Sequence, residues 1–152
     1  MTRIGLISDT HGLLRPQALA ALQGCDALIH AGDIGPEELL RRLETIAPLT
    51  VVRGNNDRAD WALALPHSAL LDVEGVRVCV VHDVKEVPAP LPPGVRVVVA
   101  GHSHKPGCAE RGGVLWVNPG SAGPRRFRLP VSVGELRVSG SRVEVELHTL
   151  AV

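Results

Sequence analysis

An α/β layered fold is what this sequence predicts, on two observations. In the first half, short apolar runs alternate with segments of helical character, in the order βαβαβ. The apolar residues, 45% of the 152, are nearly all aliphatic, with two Trp, one Phe and no Tyr. A core of Val, Leu, Ile and Ala suits strands buried on both faces and covered by helices. This length supports one domain, and no repeat or change of composition divides residues 1–152.

Ile4 to Ser8 is a short apolar run that ends in a polar loop, so it reads as a buried strand. Pro16 to Leu22 opens with a proline suited to the first helical turn and stops near Gly24. A second strand, Ala27 to Ala31, ends at Gly32-Asp33. From Pro36 to Ile46 a helix places Leu39, Leu40, Leu43 and Ile46 on one face. Thr50 to Val52 then runs into Arg53-Gly54-Asn55-Asn56-Asp57. The second half is richer in strands: Ala69 to Val73 and Val76 to Val81 flank a hairpin turn at Glu74-Gly75. Val95 to Ala100 reads as a central strand, followed by Val114 to Val117, Val131 to Val138 and Arg142 to His148. In the last, apolar and polar residues alternate, so one face is wet.

Formal net charge is zero, which removes any global field that would draw nucleic acid or an anionic membrane. Cys25, Cys79 and Cys108 form no CxxC pair and are read as buried free thiols of a reducing compartment. No stretch approaches the roughly 18 to 20 apolar residues of a membrane span, and the first residues lack a secretory pattern. The expectation is a soluble cytoplasmic protein with no membrane partner.

The informative pattern is where metal-capable residues fall. Asp9 and His11 follow the first strand, Asp33 the second and Asn55 the third; His82 follows the Val76–Val81 run, and His102 and His104 follow Val95–Ala100. Carboxyl ends of strands are where ligand sites form in open α/β sheets. Asp9 and His11 are two apart, as are His102 and His104, and in an extended segment each pair points to one side. Gly32, Gly54 and Gly101 each precede a candidate ligand and permit sharp turns and close backbone approach. Nitrogen and oxygen donors without thiolate suit Mn, Fe, Co, Ni or Zn, with manganese the first expectation. Two carboxylates, four imidazoles and one amide carry a charge of about −2, so two divalent ions per chain leave about +2 to attract a phosphate.

Asp9-Thr10-His11, Gly32-Asp33, Gly54-Asn55-Asn56-Asp57, His82 and Gly101-His102-Ser103-His104 resemble, in order and spacing, the calcineurin-like metallophosphoesterases. Asn118-Pro119-Gly120-Ser121 is similar to a loop of the small single-domain branch, which contains bacterial and archaeal phosphodiesterases. The resemblance implies a two-layered β sandwich flanked by helices, with the metal site at strand ends. It also implies that Asp9, His11, Asp33 and His104 hold one ion, and Asp33, Asn55, His82 and His102 the other, with Asp33 bridging. The implied activity is hydrolysis of a small phosphodiester by a hydroxide between two metals. Small members often self-associate, so a homodimer is compatible.

Three features depart from the family pattern. Many members have His directly after the metal-binding Asn, where it contacts phosphate and protonates the leaving group; this chain has Asn56 at that catalytic position. An amide donates hydrogen bonds but supplies no proton at neutral pH. Asp83 stands where glycine is more usual, able either to orient a ligand or to crowd the site. The helix usual between His82 and Gly101 is expected to be lost or reduced, because residues 83–94 are short and rich in proline, which leaves the site more open.

The remaining polar residues are read more plainly. His30 is a core histidine, His67 and His148 are surface residues, and Arg125, Arg126 and Arg128 form a solvated basic run. Asp57 is either a loop carboxylate or a support for a ligand, and Arg53 either a solvated strand-end residue or a phosphate contact. Three rivals share the family resemblance: a phosphomonoesterase, a nuclease, and a scaffold acting through protein contacts, as a retromer subunit does. Zero net charge weighs against the nuclease, and retention of all seven ligands weighs against the scaffold.

Overall fold

The computed structural model describes residues 1–152 as two five-stranded sheets and two α-helices. The first sheet contains β1 (Thr2–Ile7), β2 (Ala27–His30) and β3 (Leu49–Val51), parallel to one another and connected through α1 (Pro16–Leu22) and α2 (Glu37–Glu44). In the second sheet, β4 (Ser68–Val73) pairs antiparallel with β5 (Val76–Val81) across the Glu74-Gly75 turn. β6 (Val95–Val99) runs parallel to β5, and β8 (Val114–Asn118) runs parallel to β6. β7 (Gly107–Arg111) completes its edge, antiparallel to β8. β9 (Ser132–Ser139) returns to pair antiparallel with β1, and β10 (Arg142–Thr149) covers β9.

The expected α/β sandwich is therefore present, with few helical residues. Its elements fall close to the sequence expectation, apart from β7, which has no counterpart among the expected strands. In Gly107–Arg111 only the first residue is even half-buried, so no apolar pattern marks it; pairing with β8 makes it a strand. The helix expected to be reduced is a single 3₁₀ turn, Val84–Glu86.

Two aliphatic layers hold the molecule. Between the sheets, Ile4, Leu6 and Ile29 of the first pack with Val78, Val80, Val97 and Val99 of the second, joined by Leu136 and Val138 of β9. The opposite face of the first sheet carries Ile7, Leu28 and Val133 against Leu22 of α1 and Leu39, Leu40 and Leu43 of α2. Val143, Val145 and Leu147 of β10 are half-buried against the inter-sheet core while Glu144 and Glu146 face water, the alternation expected. On the outer face of the second sheet, Val87 and Leu91 of the proline-rich segment pack near Cys79, Val81 and Val98 in place of a helix. Cys25, Cys79 and Cys108 are free thiols; the first two are buried as expected, but Cys108 is exposed because β7 is an edge strand.

Leu136 is fully buried and sits between Ile4 and Val145 in the sheet register. Leu136→Ala should lower the unfolding free energy by about 3 kcal/mol, since a buried Leu→Ala removes transfer energy and leaves a cavity. Urea denaturation checks this, and a loss below about 1 kcal/mol would place Leu136 outside the packed core.

Candidate metal centre

All seven candidate ligands leave strands at one edge of the sandwich. Asp9 and His11 follow β1, Asp33 follows β2, Asn55 follows β3, His82 directly follows β5, and His102 and His104 follow β6. Because β1, β2 and β3 are parallel in one sheet, and β5 and β6 in the other, five strands deliver their ligands together. The Asp9–His11 and His102–His104 pairs are not extended, however. Asp9 (φ 53°), His11 (44°), Asp33 (60°), His102 (70°) and His104 (63°) all occupy the left-handed region. Only two other non-glycine residues do so, Glu74 and Phe127. This conformation costs a non-glycine residue about 1 kcal/mol, so its concentration at five candidate ligands marks a strained, functional loop set.

Two glycines make the convergence sterically feasible. A Cβ at Gly54 would collide with the amide nitrogen and carboxylate of Asp33. At Gly101 it would meet Ser8 Oγ and come within 2.6 Å of Asp9 Oδ2.

Asp9 is held through one oxygen and leaves the other unpartnered, whereas both oxygens of Asp33 are held. Asp9, fully buried, accepts from the Ser8 hydroxyl at 2.7 Å and the His102 amide at 3.0 Å, both on Oδ2. Its Oδ1 has no hydrogen-bond partner. Asp33 takes the Asn56 amide on Oδ1 at 2.9 Å and the Asn56 side-chain NH₂ on Oδ2 at 3.1 Å. No Lys or Arg lies within ion-pair distance of either. Burial pushes the Asp33 carboxyl up, but the hydrogen bonds from His82 and the Asn56 amide outweigh it and hold the group down at about 2.

The imidazoles form two pairs, His11 tilted against His104 (5.4 Å between centroids) and His82 edge-on to His102 (5.1 Å). Around Asp9 Oδ1 stand His104 Nε2 at 3.4 Å, His82 Nε2 at 3.9 Å and His11 Nε2 at 4.0 Å. Asp33 Oδ2 lies 3.3 Å from His82 Nε2 and 3.7 Å from His11 Nε2. His82 Nδ1–H donates to the Ala31 carbonyl at 2.7 Å, which turns Nε2 toward the centre and toward Asn55 Oδ1 at 2.9 Å. His102 Nδ1 is 3.2 Å from the same Asn55 oxygen. Burial disfavours charge on His82; even so, its hydrogen bond to Asp33, the Asp9 charge and the Ala31 carbonyl raise it to about 9.

These donors fit divalent cations. Buried carboxylates without a basic partner are costly unless a cation or proton neutralises them. With His82 Nδ1–H given to Ala31 O, the 2.9 Å approach of His82 Nε2 to Asn55 Oδ1 needs a proton on Nε2 or a metal ion shared by the two atoms. The orphaned Asp9 Oδ1, His11 Nε2 and His104 Nδ1 are buried atoms of the same group. Two sets, Asp9–His11–His104 and Asp9–Asp33–His82, each offer donor atoms within 4.8 Å of one another. None of the three cysteines belongs to either set.

The residues left open by sequence resolve into supports. Asp57 is buried and accepts three backbone N–H groups: Asp33 and Gly54 on Oδ2 (2.9 and 2.8 Å), and Ile34 on Oδ1 (2.8 Å). It thereby ties the β2 loop to the β3 loop. Arg53 donates from Nε to the Asp57 carbonyl at 2.8 Å. Asp83 stands 3.5 Å from His102 Nε2, an orienting position. The Asn56 side chain turns toward Asp33 and donates to its Oδ2 at 3.1 Å. Arg125, Arg126 and Arg128 are exposed, as are His67 and, in part, His148. Sequence reasoning did not assign roles to Ser8, Thr10, Asn118 or Ser121. Asn118 donates to Gly101 O and Ser103 Oγ, both at 3.0 Å, and Ser121 Oγ donates to Asp9 O at 3.0 Å. Their only signal was position inside or beside the quoted motifs.

His30 is the expected core histidine. The Gly32 N–H donates to Nδ1 at 3.0 Å, so the ring proton sits on Nε2 and is donated to Thr10 Oγ1 at 2.9 Å. Thr10 passes its own proton to Ile34 O at 2.8 Å. This relay fastens the β1 loop to the β2 loop.

Comparison with known proteins agrees with the fold and shows the family. Residues 2–141 match the calcineurin-like phosphoesterase superfamily domain. A probable metallophosphoesterase of Methanothermobacter thermautotrophicus is 34% identical over 157 aligned residues, spanning 95% of this chain and 90% of that protein. Among solved structures, Yfce, a phosphoesterase from E. coli, superimposes with a TM-score of 0.70 at 27% identity, covering 90% of this chain and 88% of that one. Chaetomium thermophilum Vps29 superimposes at 0.78 with 20% identity, covering 98% and 96%, a likeness of fold alone. The chain belongs to the calcineurin-like phosphoesterase superfamily, a metal-dependent family of hydrolases.

Burial lowers the His30 imidazole from 6.5 to about 4. Below its unfolded value, the unfolded chain takes a proton that the folded chain refuses. Its stabilising share is thus full above about pH 6.5 and declines by about 1.4 kcal/mol per unit as pH falls toward 4. Urea unfolding of metal-free wild type and His30→Gln should show a stability gap that shrinks across this window. A gap independent of pH would show that the folded protein protonates His30 readily.

Proposed function

We propose that the chain is a metal-dependent phosphodiesterase acting on a small phosphodiester with two divalent ions per chain, manganese first. In this reading Asp9, His11, Asp33 and His104 hold one ion, and Asp33, Asn55, His82 and His102 the other, with Asp33 shared. The supporting observation is the convergence of unpaired donor atoms on two buried carboxylates that no Lys or Arg neutralises. Names of the relatives agree: probable metallophosphoesterase for the archaeal protein, phosphoesterase for Yfce. Vps29 shares only the fold, and all seven donor positions are present here, which favours an enzyme over a scaffold.

When bound, the ions supply Lewis-acid charge that polarises the phosphoryl group and lowers the pKa of a water. The chain's own part is positioning. Ser8 and the His102 amide fix Asp9 so that Oδ1 points inward. Asn56 grips Asp33 through backbone and side chain, and Ala31 O fixes the His82 ring. Asn55, Asn56 and His102 are exposed at the mouth, where amide and imidazole N–H groups can meet phosphoryl oxygens. With no net charge and no basic field, the chain favours a small diester over nucleic acid.

After reconstitution with manganese, elemental analysis should find two ions per chain; at most one would defeat the shared-carboxylate reading. Asp33→Asn keeps the side-chain shape but removes the shared anion. It should lower turnover of bis-nitrophenyl phosphate by at least about 10³-fold, the scale of losing a principal transition-state stabiliser. Turnover near the wild-type level at saturating manganese would show that Asp33 holds no ion.

A further inference from the structure

We propose that the cleft lined by Arg53, Gly54, Asn55, His67 and Glu86 receives the leaving group of the ester, a hydroxylated aliphatic alcohol, and that His67 donates its proton. This rests on the phosphodiesterase reading of the adjoining centre. An alkoxide is a poor leaving group, so an alkyl ester needs a proton donor. Asn56 offers none, and its side chain is turned to Asp33. Of the seven histidines, His11, His82, His102 and His104 converge in the centre, and His30 is locked in the core. His148 lies on β10, beside Arg3 and Glu135 in a separate cleft. His67 remains.

The fold places it beside the candidate ligands. The Arg53 N–H donates to Pro66 O at 2.8 Å, sewing the chain before β4 to the end of β3, so that His67 flanks Gly54-Asn55. The 3₁₀ turn that follows His82 supplies the other wall, with Glu86 Oε2 at 3.9 Å from His67 Nδ1. Both walls therefore lie beside loops that carry candidate ligands, Asn55 after β3 and His82 after β5. Glu86 occupies the Nδ1 side and leaves Nε2 as the donor toward a ligand.

The lining defines the class of guest. The cleft holds about 240 Å³ and contains no hydrophobic residue. Arg53 is fixed through Nε, which leaves its terminal nitrogens for hydroxyl oxygens, while Glu86 can accept from hydroxyl hydrogens. One cation and one carboxylate facing the guest favour a neutral polyol or sugar-like alcohol over an aryl ring or an anion. His67 and Glu86 side chains are 67% and 41% exposed, so the imidazole exchanges protons with solvent directly.

In the step itself, a water oxygen bonds to phosphorus as the bond from phosphorus to the ester oxygen breaks. The electron pair of that bond stays on the ester oxygen, which takes the proton from His67 Nε2. The products are a phosphomonoester and the neutral alcohol. The attacking water gives a proton to solvent, and the imidazole regains one from it.

The test compares the manganese-loaded full chain with its His67→Gln variant on diesters ranging from bis-nitrophenyl phosphate to glyceryl phosphodiesters. The variant should lose about 10²-fold on glyceryl esters and far less on nitrophenyl esters, so that log kcat falls more steeply with leaving-group pKa. Equal losses on both series, or none on either, would overturn the proposal. A wild type that turns over no diester would instead defeat the phosphodiesterase reading. The cleft is then judged by the His67 Cε1 resonance of metal-free protein titrated with glyceryl methylphosphonate. A saturable shift supports the subsite, and a flat titration overturns it.

Discussion

Two carboxylates, Asp9 and Asp33, are buried at the seam between two sheets without a single Lys or Arg beside them. Taking such charges out of water is among the most expensive acts available to a folded chain unless a positive partner is present. The surrounding structure depends on that constraint. Hydroxyl and amide donors occupy Asp9 Oδ2 and both Asp33 oxygens, and imidazoles approach Asp9 Oδ1 and Asp33 Oδ2 at 3.3 to 4.0 Å. Apart from the 3.3 Å contact of His82 with Asp33, these distances are too long for good hydrogen bonds and suit atoms that share a cation.

The same constraint accounts for the strained backbone. Donors from five loops reach one small volume because the chain turns sharply after β1, β2 and β6. Five non-glycine residues consequently take left-handed conformations, at about 1 kcal/mol apiece. The loops do not hold this shape alone. Asp57 gathers three amides from two of them, the His30–Thr10–Ile34 relay fastens β1 to β2, and Asn118 and Ser121 reach back from the end of β8. A rigid aliphatic core behind them lets the strain persist, because closely packed strands resist the relaxation that would release it.

Openness is the other consequence of this particular chain. Where residues 83–94 form one 3₁₀ turn, Val87 and Leu91 protect the outer sheet face. His102 is accordingly exposed, and the polar cleft between β3 and the Val84–Glu86 turn stands beside it.

Most strands, both helices and all seven candidate ligands were legible in the sequence, because each depends on local pattern: apolar runs, a proline at a helix start, a polar residue just past a strand. Glycines at 54 and 101 announced close approach for the same reason. β7 was not legible, since Gly107–Arg111 buries almost nothing and is a strand only through pairing with β8. Nor was the left-handed geometry of the Asp9–His11 and His102–His104 pairs, because spacing of two is equally compatible with an extended segment. The roles of Asp57, Ser8 and Asn118 depend on contacts between loops distant in sequence. His67 read as an ordinary surface residue, and only the Arg53–Pro66 hydrogen bond sets it beside Asn55. Sequence by itself determined which chemistry the chain carries, since that is written in residue types and their place after each strand. Tertiary structure alone decided which atoms are held, which are left facing the centre, and which side of it lies open, because those follow from three-dimensional contacts between segments that sequence keeps apart.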